Sequence, residues 1–328
     1  MTTHLQRILD ELPEAPGVYK MLGDGGNILY IGKSKCLKHR VKSYFVKKPV
    51  WEKAEKMAGF IRDIEIEPTH THLEAMLLEC ELIKKHRPFF NRQMKNDSGY
   101  LYIKPGESLS EKPVRILHTR EEGCFGPMRS RGSVEAAVDA LVHLYPIRRE
   151  GSGFVFTYHI LPATMTPEEY AGNRESLRSL LRSRAAAERF FRMIEKKMKE
   201  AAKEYRFELA GKYKDARDAF GYIRNQIEKY RSFAKKTIIA DIEDTNGGRR
   251  LFYIYRGMVV YKDSAKQEEM TEAKREARLE EFRVKGEEML RAERAGIEKA
   301  MQEKGFIDYR DILFAHLASL PKNQVRVL

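Results

Sequence analysis

Apolar runs of strand length alternate with short polar breaks in the first hundred residues. Residues 17–22 and 28–31 are two such runs, and the glycine-rich segment between them predicts a hairpin loop. In Ile61–Glu67, Ile64 and Ile66 alternate with acidic residues, which predicts a third strand with one buried face. The pattern therefore predicts a small sheet of three short strands.

Helical spacing appears on either side of the third strand. Thr71 followed by Glu74 is a capping box, which predicts the start of a helix that Pro88 ends. These elements together predict a compact α/β (α+β) domain over residues 1–97. A shorter helix is predicted before the third strand, because apolar residues recur on one face at i, i+4, i+7 and i+8, namely Leu37, Val41, Tyr44 and Phe45.

The remainder of the chain changes its periodicity several times. Residues 98–187 are predicted to form a mixed connector of strands and one helix. Residues 188–231 have the pattern of a helical hairpin with Gly211 near its bend. Residues 232–264 return to strand-like runs and predict a small β segment. In 265–328 glutamate alternates with lysine and arginine at helical spacing, which predicts a charged helical tail.

Composition excludes several classes of protein. No stretch is apolar over the roughly 18 residues that a membrane span needs, and the N-terminal segment MTTHLQRILDELPEAPG lacks the apolar core of a signal peptide. Cys36, Cys80 and Cys124 are too few and too far apart to predict a disulfide framework or a zinc cluster. We therefore expect a cytoplasmic protein with no membrane partner.

The chain is basic, with 61 lysines and arginines against 48 acidic residues and a formal net charge of +13. This excess fits a polyanionic partner such as DNA, and solubility alone explains it equally well. Residues 33–51 hold seven basic residues, three aromatic residues and no acidic one, a composition suited to phosphate contacts. The candidate DNA-binding residues in this stretch are Lys35, Lys38, Lys42, Lys47 and Lys48.

Residues 17–34 end in Gly32-Lys33-Ser34, which is also how a nucleotide-binding P-loop ends. That motif needs a second glycine five residues before Gly32, and this chain has Asn27 there. A strand-like run also occupies the place of the phosphate-binding loop. The sequence therefore predicts no nucleotide cofactor.

One carboxylate has the position that a metal ligand would need. Glu79 lies between Met76 and Ile83 at helical spacing, so it borders the apolar face of its helix. A carboxylate held there next to a basic surface is able to bind one divalent cation beside a phosphate. A glutamate that makes an ordinary salt bridge fits the same position.

Two tyrosines occupy nearly facing positions on the predicted hairpin. Tyr19 and Tyr30 either position and deprotonate a water, with Lys33 lowering the phenol pKa by proximity, or form a stabilising aromatic pair. Arg40 flanks the apolar face of the short helix, so it either stabilises charge on a phosphate or remains a solvated cation.

The order and spacing of these residues resemble a known family. Gly17-Val18-Tyr19 and Tyr30-Ile31-Gly32-Lys33, followed by the later site residues, resemble the GIY-YIG nuclease domain. The segments LPEAPGVYKM, ILYIGKSKCLKHRVKSYF and EAMLLECELIKKHRPFFN are most similar to the N-terminal domain of the UvrC family of ABC excinuclease proteins. The resemblance implies a three-stranded antiparallel sheet flanked by helices, and hydrolysis of DNA.

The resemblance also implies a role for each residue of the central motif. Glu79 would bind a single Mg²⁺ or Mn²⁺ ion. Tyr30 would act as general base, assisted by Tyr19 and Lys33.

The other motif residues would support this centre. By the same resemblance, Arg40 and Tyr44 would engage the scissile phosphate. Asn91 would hold the site by hydrogen bonding, and Gly17 and Gly32 would permit close packing in the motif.

A looser resemblance continues beyond the first domain. CFGPMRS and LVHLYPIRRE resemble the next UvrC segment, yet residues 147–175 lack the four cysteines usual there, so no iron–sulfur or zinc role is expected. Residues 188–231 resemble the UVR hairpin through which UvrC contacts UvrB, and Phe207 and Glu208 match its central pair. Residues 237–262 resemble the first strands of the second UvrC nuclease domain. The acidic residues of that RNase H-like centre and the helix-hairpin-helix pair have no counterpart in this sequence.

These observations predict a short UvrC homologue that makes a single incision, on the 3′ side of a lesion in double-stranded DNA, with UvrB as partner. A GIY-YIG nuclease of a restriction or mobile-element system is the first alternative. A non-catalytic adaptor that binds DNA or a partner is the second, although an adaptor has no need of the complete set of site residues.

Overall fold

The computed structural model describes residues 2–46, 56–95, 99–245, 247–265, 272–301 and 305–328. The chain folds as two compact units. The split unit combines Met1–Asp97 with Phe233–Leu328, and the middle unit consists of Ser98–Ser232. The five segments expected from the sequence are thus grouped into two. Two candidate DNA-binding residues, Lys47 and Lys48, lie outside the described residues.

The N-terminal part of the split unit contains the predicted three-stranded sheet. Its strand order is β2-β1-β3, and both pairings are antiparallel, which confirms the expected fold. In chain order the elements are α1 (Thr3–Asp10), β1 (Gly17–Leu22), β2 (Ile28–Ser34), α2 (Leu37–Lys42), β3 (Asp63–Pro68) and α3 (His72–His86).

Helix α2 is shorter than its apolar pattern predicts. It ends at Lys42, and Tyr44 and Phe45 follow in a turn rather than on the helix face. The amides of Tyr44 and Phe45 bond carbonyls three residues back, at 3.2 and 3.0 Å, so the chain tightens after the helix. Both side chains still face the core that α2 covers.

Helix α3 begins and ends where the sequence predicts. Thr71 and Glu74 form the complete capping box, with the Thr71 hydroxyl accepting the Glu74 amide at 3.2 Å. The helix ends at His86, and Arg87 adopts the left-handed conformation with φ of 47° immediately before Pro88. Local sequence signals therefore account for both ends of the helix that carries Glu79.

The middle unit is built on a small sheet of order β5-β4-β6, a hairpin and four helices of the described residues, which enclose one apolar core. The helical hairpin predicted over residues 188–231 bends at residues 204–206, where Tyr205 has φ of 58°. Gly211 was expected near this bend, but it lies inside the second helix. The elements are β4 (Leu101–Pro105), β5 (Val114–Leu117), β6 (Phe125–Met128), α4 (Arg131–Val142), β7 (Arg148–Glu150), β8 (Gly153–Val155), α5 (Pro167–Arg182), α6 (Arg184–Lys203) and α7 (Phe207–Phe233).

The C-terminal part of the split unit is a second sheet covered by helices. Its order is β11-β10-β9-β12, so the last strand returns to pair with β9 and the region is more than a helical tail. Arg256 and Gly257 both have positive φ, 51° and 86°, as a tight hairpin turn requires. The elements are β9 (Thr237–Glu243), β10 (Arg249–Tyr255), β11 (Met258–Ala265), α8 (Glu272–Ala300), α9 (Phe306–Ser319) and β12 (Val325–Val327).

Helix α3 packs against both parts of the split unit. Ala75 and Ile83 lie in a core with β1 and β2, whereas Leu73 and Leu77 lie in a core with β9, β10 and α9. The helix that carries Glu79 is therefore held on two sides.

Ion pairs fix α3 to the C-terminal part near both of its ends. The Glu74 carboxylate contacts Arg250 at 3.0 Å and Lys262 at 3.2 Å. Near the other end, Lys84 contacts Asp308 at 2.7 Å. Across the described part of the chain, no helix combines the length and the apolar character needed to cross a bilayer.

Candidate active site

Three tyrosines meet on one face of the β1–β2 hairpin. Tyr19 pairs in register with Gly32, and Met21 with Tyr30, so Tyr19 and Tyr30 are diagonal neighbours on the same face. The Tyr19 and Tyr44 hydroxyls are 2.8 Å apart, and the three ring centroids are separated by 5.8 to 6.3 Å. The structure brings these three predicted residues together, with Tyr19 and Tyr44 buried.

Gly32 is required by this packing. A Cβ atom at position 32 would lie 2.5 Å from the Cζ atom of Tyr19 and closer still to its hydroxyl. Gly17 has a different constraint, because its Cβ would lie 2.5 Å from the Glu67 carbonyl oxygen on β3. Both motif glycines therefore permit close approach, as the resemblance implies.

The side chains of Asn91 and Glu79 hydrogen-bond to the backbone groups on the outer edge of β2. The Asn91 side chain accepts the Ile31 N–H at 3.0 Å and donates to the Ile31 carbonyl at 2.8 Å. Two residues further along, the Glu79 carboxylate accepts the Lys33 N–H at 3.0 Å. These bonds replace a neighbouring strand, so they hold β2 and Glu79 in one register.

Lys33 pairs with Glu79 and not with the tyrosines. Its Nζ lies 3.2 Å from the second carboxylate oxygen of Glu79. Because strand residues alternate between faces, Lys33 and Tyr30 point to opposite sides of β2. Glu79 thus receives both a backbone and a side-chain donor from one residue.

The lowered phenol pKa that the sequence suggested is wrong. Burial, followed by the nearby Tyr44, raises the pKa of Tyr30. Burial likewise raises the pKa of Tyr19 well above its ordinary value. Arg40 acts in the opposite direction on both pKa values, but burial outweighs it.

The basic residues of this region differ in their surroundings. The Arg40 guanidinium lies 5.4 Å from the centroid of the Tyr44 ring, in a cation–π contact beside the tyrosines. Lys38 and Lys42 pair with Glu14 at 2.8 Å and Asp10 at 3.6 Å, so DNA would have to displace those partners. Lys35 is exposed.

The donor set at Glu79 fits a magnesium-type ion. Within the described ranges, no cluster of three or more histidine, cysteine, aspartate or glutamate side chains is arranged to hold a metal. Mg²⁺ commonly uses one or two protein carboxylates and completes its shell with water and substrate phosphates. A single, largely buried carboxylate at the end of the hairpin meets that requirement.

The proposed partner-binding pair lies in the middle unit. Phe207 and Glu208 form the first turn of α7, and Phe207 is 66% exposed. Its ring lies 6.2 Å from the ring of Tyr205, which is also exposed, so an aromatic pair marks this bend.

Some residues around the site are not apparent from the sequence. Arg250 and Asp308 contact α3 from 176 and 224 positions away. No local signal identifies such contacts. In contrast, helix α5 was not predicted although Thr166 and Glu169 form a capping box at its start.

Part of the chain matches a family model, and most of it is similar to proteins of known name. Residues 15–92 match the model of the UvrC-like GIY-YIG domain. The chain is 34% identical to UvrABC system protein C of Acetivibrio thermocellus over 79% of this chain and 44% of that protein. It is 36% identical to UvrABC system protein C of Acinetobacter baylyi over 65% of this chain and 38% of that protein. The chain thus spans less than half the length of these relatives.

Solved structures of a UvrC endonuclease domain are also similar to part of this chain. The crystal structure of the GIY-YIG N-terminal endonuclease domain of UvrC from Thermotoga maritima, bound to its catalytic divalent cation magnesium, has 35% sequence identity to this chain. The match covers 28% of this chain and 100% of that domain, with a TM-score of 0.26.

Proposed function

Residues 15–92 belong to the UvrC-like GIY-YIG family in a chain homologous to UvrABC system protein C, and on that premise we propose that the protein is a metal-dependent DNA endonuclease of nucleotide excision repair. The observation that carries the proposal is the Glu79 carboxylate, held at the β2 edge by Lys33. Tyr19, Tyr30 and Tyr44 meet on the face of the hairpin opposite to the Lys33 side chain.

Glu79 is the residue that would hold one Mg²⁺ or Mn²⁺ ion. When bound, such an ion supplies Lewis-acid stabilisation of charge on the scissile phosphate. Lys33 occupies one Glu79 oxygen in the structure, so it neutralises the buried carboxylate and keeps it oriented. Because its ammonium group lies 3.2 Å from the carboxylate that would hold the ion, Lys33 would also be placed to pair with a phosphate oxygen of the bound DNA.

Tyr30 would orient and deprotonate the attacking water. Its raised pKa keeps the phenol protonated at neutral pH, so it needs positive charge nearby to act as a base. Arg40 provides part of that charge, because it lowers the pKa of Tyr30 against the effect of burial. We infer that Arg40 serves both the phenol and the phosphate, and that the buried Tyr44 acts mainly by holding Tyr19 through their hydroxyl pair.

We propose incision on the 3′ side of a lesion in double-stranded DNA, with a UvrB-like protein recruited through residues 188–231. The exposed Phe207 at the start of α7 supports a contact there. The three cysteines are free thiols, which fits a cytoplasmic site of action.

The test uses lesion-bearing duplex DNA with Mg²⁺, with and without UvrB. Glu79→Ala is compared with wild type and with Glu81→Ala, which removes an exposed glutamate from the same helix. We expect at least a 100-fold loss of incision rate for Glu79→Ala and little change for Glu81→Ala.

Each other outcome has a definite meaning. If Glu79→Ala cuts as fast as wild type, the proposed mechanism is wrong. If cutting ignores both the lesion and UvrB, the protein is a nuclease outside repair. If wild type binds DNA or UvrB but never cuts, it is an adaptor.

A further inference from the structure

An exposed aromatic cluster lies beside the candidate active site. Phe89 is 81% exposed and Phe60 is 57% exposed, although both are large apolar side chains. The Phe90 ring lies between them, 5.2 Å from Phe89 and 6.4 Å from Phe60. We call these three residues the phenylalanine platform. Single exposed apolar residues are ordinary, whereas a contiguous group of this kind marks a binding surface.

Phe90, at the centre of the platform, and Glu79 are both hydrogen-bonded to the outer edge of β2. The Phe90 amide donates to the Leu29 carbonyl on the outer edge of β2 at 3.0 Å. Asn91 bonds Ile31, and Glu79 bonds Lys33, at the next two outward-facing positions of the same strand. The metal ligand and the platform therefore share one strand edge.

Strand geometry sets the distance between them. Leu29 and Lys33 are four residues apart, which corresponds to about 13 Å along the strand. One strand of B-DNA advances about 3.4 Å per nucleotide. Because this spacing is measured along the helix axis, a duplex that is cut at Glu79 and whose axis runs along this edge would reach the platform about four nucleotides from the scissile phosphate.

The charges around the platform fit a nucleic acid. Arg62 follows Phe60 closely and bonds the carbonyl of Gly59 at 2.8 Å. Lys95 lies with its Nζ 3.4 Å from the Phe89 carbonyl oxygen. Exposed Arg87 and Arg92 flank the two adjacent phenylalanines in sequence. An acidic side chain, Asp24, pairs with Arg62 at 2.9 Å, so part of this positive charge is offset.

We propose that the phenylalanine platform stacks on an unpaired base of the bound DNA strand, about four nucleotides from the cut. Aromatic side chains next to cations are the general means of binding single-stranded bases. A fully paired duplex keeps its bases stacked, so the platform favours DNA in which a base is already unpaired. This inference rests on the proposed DNA endonuclease function and adds a source of preference for distorted DNA.

The test measures base stacking directly. Duplexes carry one unpaired 2-aminopurine at successive positions on either side of the incision site, and its fluorescence is followed as the full chain binds. Phe89→Ala removes the exposed ring, and Phe89→Trp keeps an aromatic surface. Ile160→Ala, at a residue of the middle unit that is 85% exposed, is the matched control.

We expect wild type, Phe89→Trp and Ile160→Ala to quench 2-aminopurine at one position about four nucleotides from the cut. Phe89→Ala should lose that quenching. It should also bind the distorted duplex about 5- to 50-fold more weakly, with less than about a twofold change on fully paired DNA. Circular dichroism of each variant establishes that the fold is intact.

Unchanged quenching and affinity in Phe89→Ala would overturn the platform proposal. So would loss of UvrB binding with unchanged DNA binding, because the surface would then dock a protein. The Glu79→Ala comparison keeps the two proposals separate. If incision still requires Glu79 while Phe89→Ala behaves as wild type, only the platform proposal fails. If the wild-type protein binds no DNA, both the platform proposal and the endonuclease proposal fail.

Discussion

Replacement of Asn91 by alanine should destabilise the split unit and misplace the active site. The Asn91 side chain is 7% exposed and makes two hydrogen bonds to the fully buried Ile31. Alanine would leave the Ile31 N–H and C=O groups without their partner. A buried polar group left unsatisfied costs about 1–3 kcal/mol, so we expect a loss of about 2–4 kcal/mol in the free energy of unfolding.

The same change should reduce incision more than stability alone requires. Ile31 lies on β2 between Tyr30 and Lys33, whose N–H group donates to Glu79. A shift of this edge of β2 would therefore move the Tyr30 hydroxyl and the Glu79 carboxylate together. Asn91→Asp keeps the acceptor for the Ile31 N–H but places a buried carboxylate against the Ile31 carbonyl, so its loss of stability should be at least as large as that of alanine at neutral pH. The exposed Asn323 provides a control, because Asn323→Ala should change stability by less than about 0.5 kcal/mol.

Urea unfolding followed by circular dichroism measures the change in stability. Because the chain has two units, amide hydrogen exchange at Ile31 is measured as well, and Asn91→Ala should lower protection there. Wild-type stability together with wild-type protection at Ile31 would refute the reasoning. It would mean that β2 keeps its register without Asn91.

Contacts around the site should also respond to substitution and to pH. Removing one partner of the buried Lys84–Asp308 pair should lower the free energy of unfolding by about 3–5 kcal/mol, measured by urea unfolding. Lys84→Met combined with Asp308→Leu should cost less than either single change, because no charge is then left buried without its partner. Losses that add in the double variant would contradict this. Gly32→Ala should lower the free energy of unfolding by about 1–3 kcal/mol and reduce the incision rate, because the added methyl group overlaps the Tyr19 ring. Wild-type stability together with a wild-type incision rate would argue against the observed packing. Burial lowers the pKa of His72 from 6.5 to about 4. The unfolded chain therefore binds more protons between these values, so stability is complete above about pH 6.5 and decreases toward pH 4. His72→Gln should flatten that dependence in pH-resolved urea unfolding, and an unchanged slope would contradict it.

Local sequence was sufficient for the elements that position the site. The capping box at Thr71 and the proline at position 88 predict both ends of α3, because helix ends depend on hydrogen bonds within a few residues. The glycine-rich loop and the apolar runs beside it predict the β1–β2 hairpin for the same reason. The spacing of the motif residues along the chain predicts the UvrC-like GIY-YIG domain whose model residues 15–92 match.

Tertiary structure decided what each site residue contacts. Lys33 turns to Glu79 rather than to Tyr30 because the strand alternates its faces, and the phenol pKa is raised because the fold buries it. The chain returns after residue 232 to cover α3 with a second sheet and an ion pair from Asp308. The Lys84–Asp308 contact joins residues 224 positions apart, and it depends on shape and charge that no local pattern records.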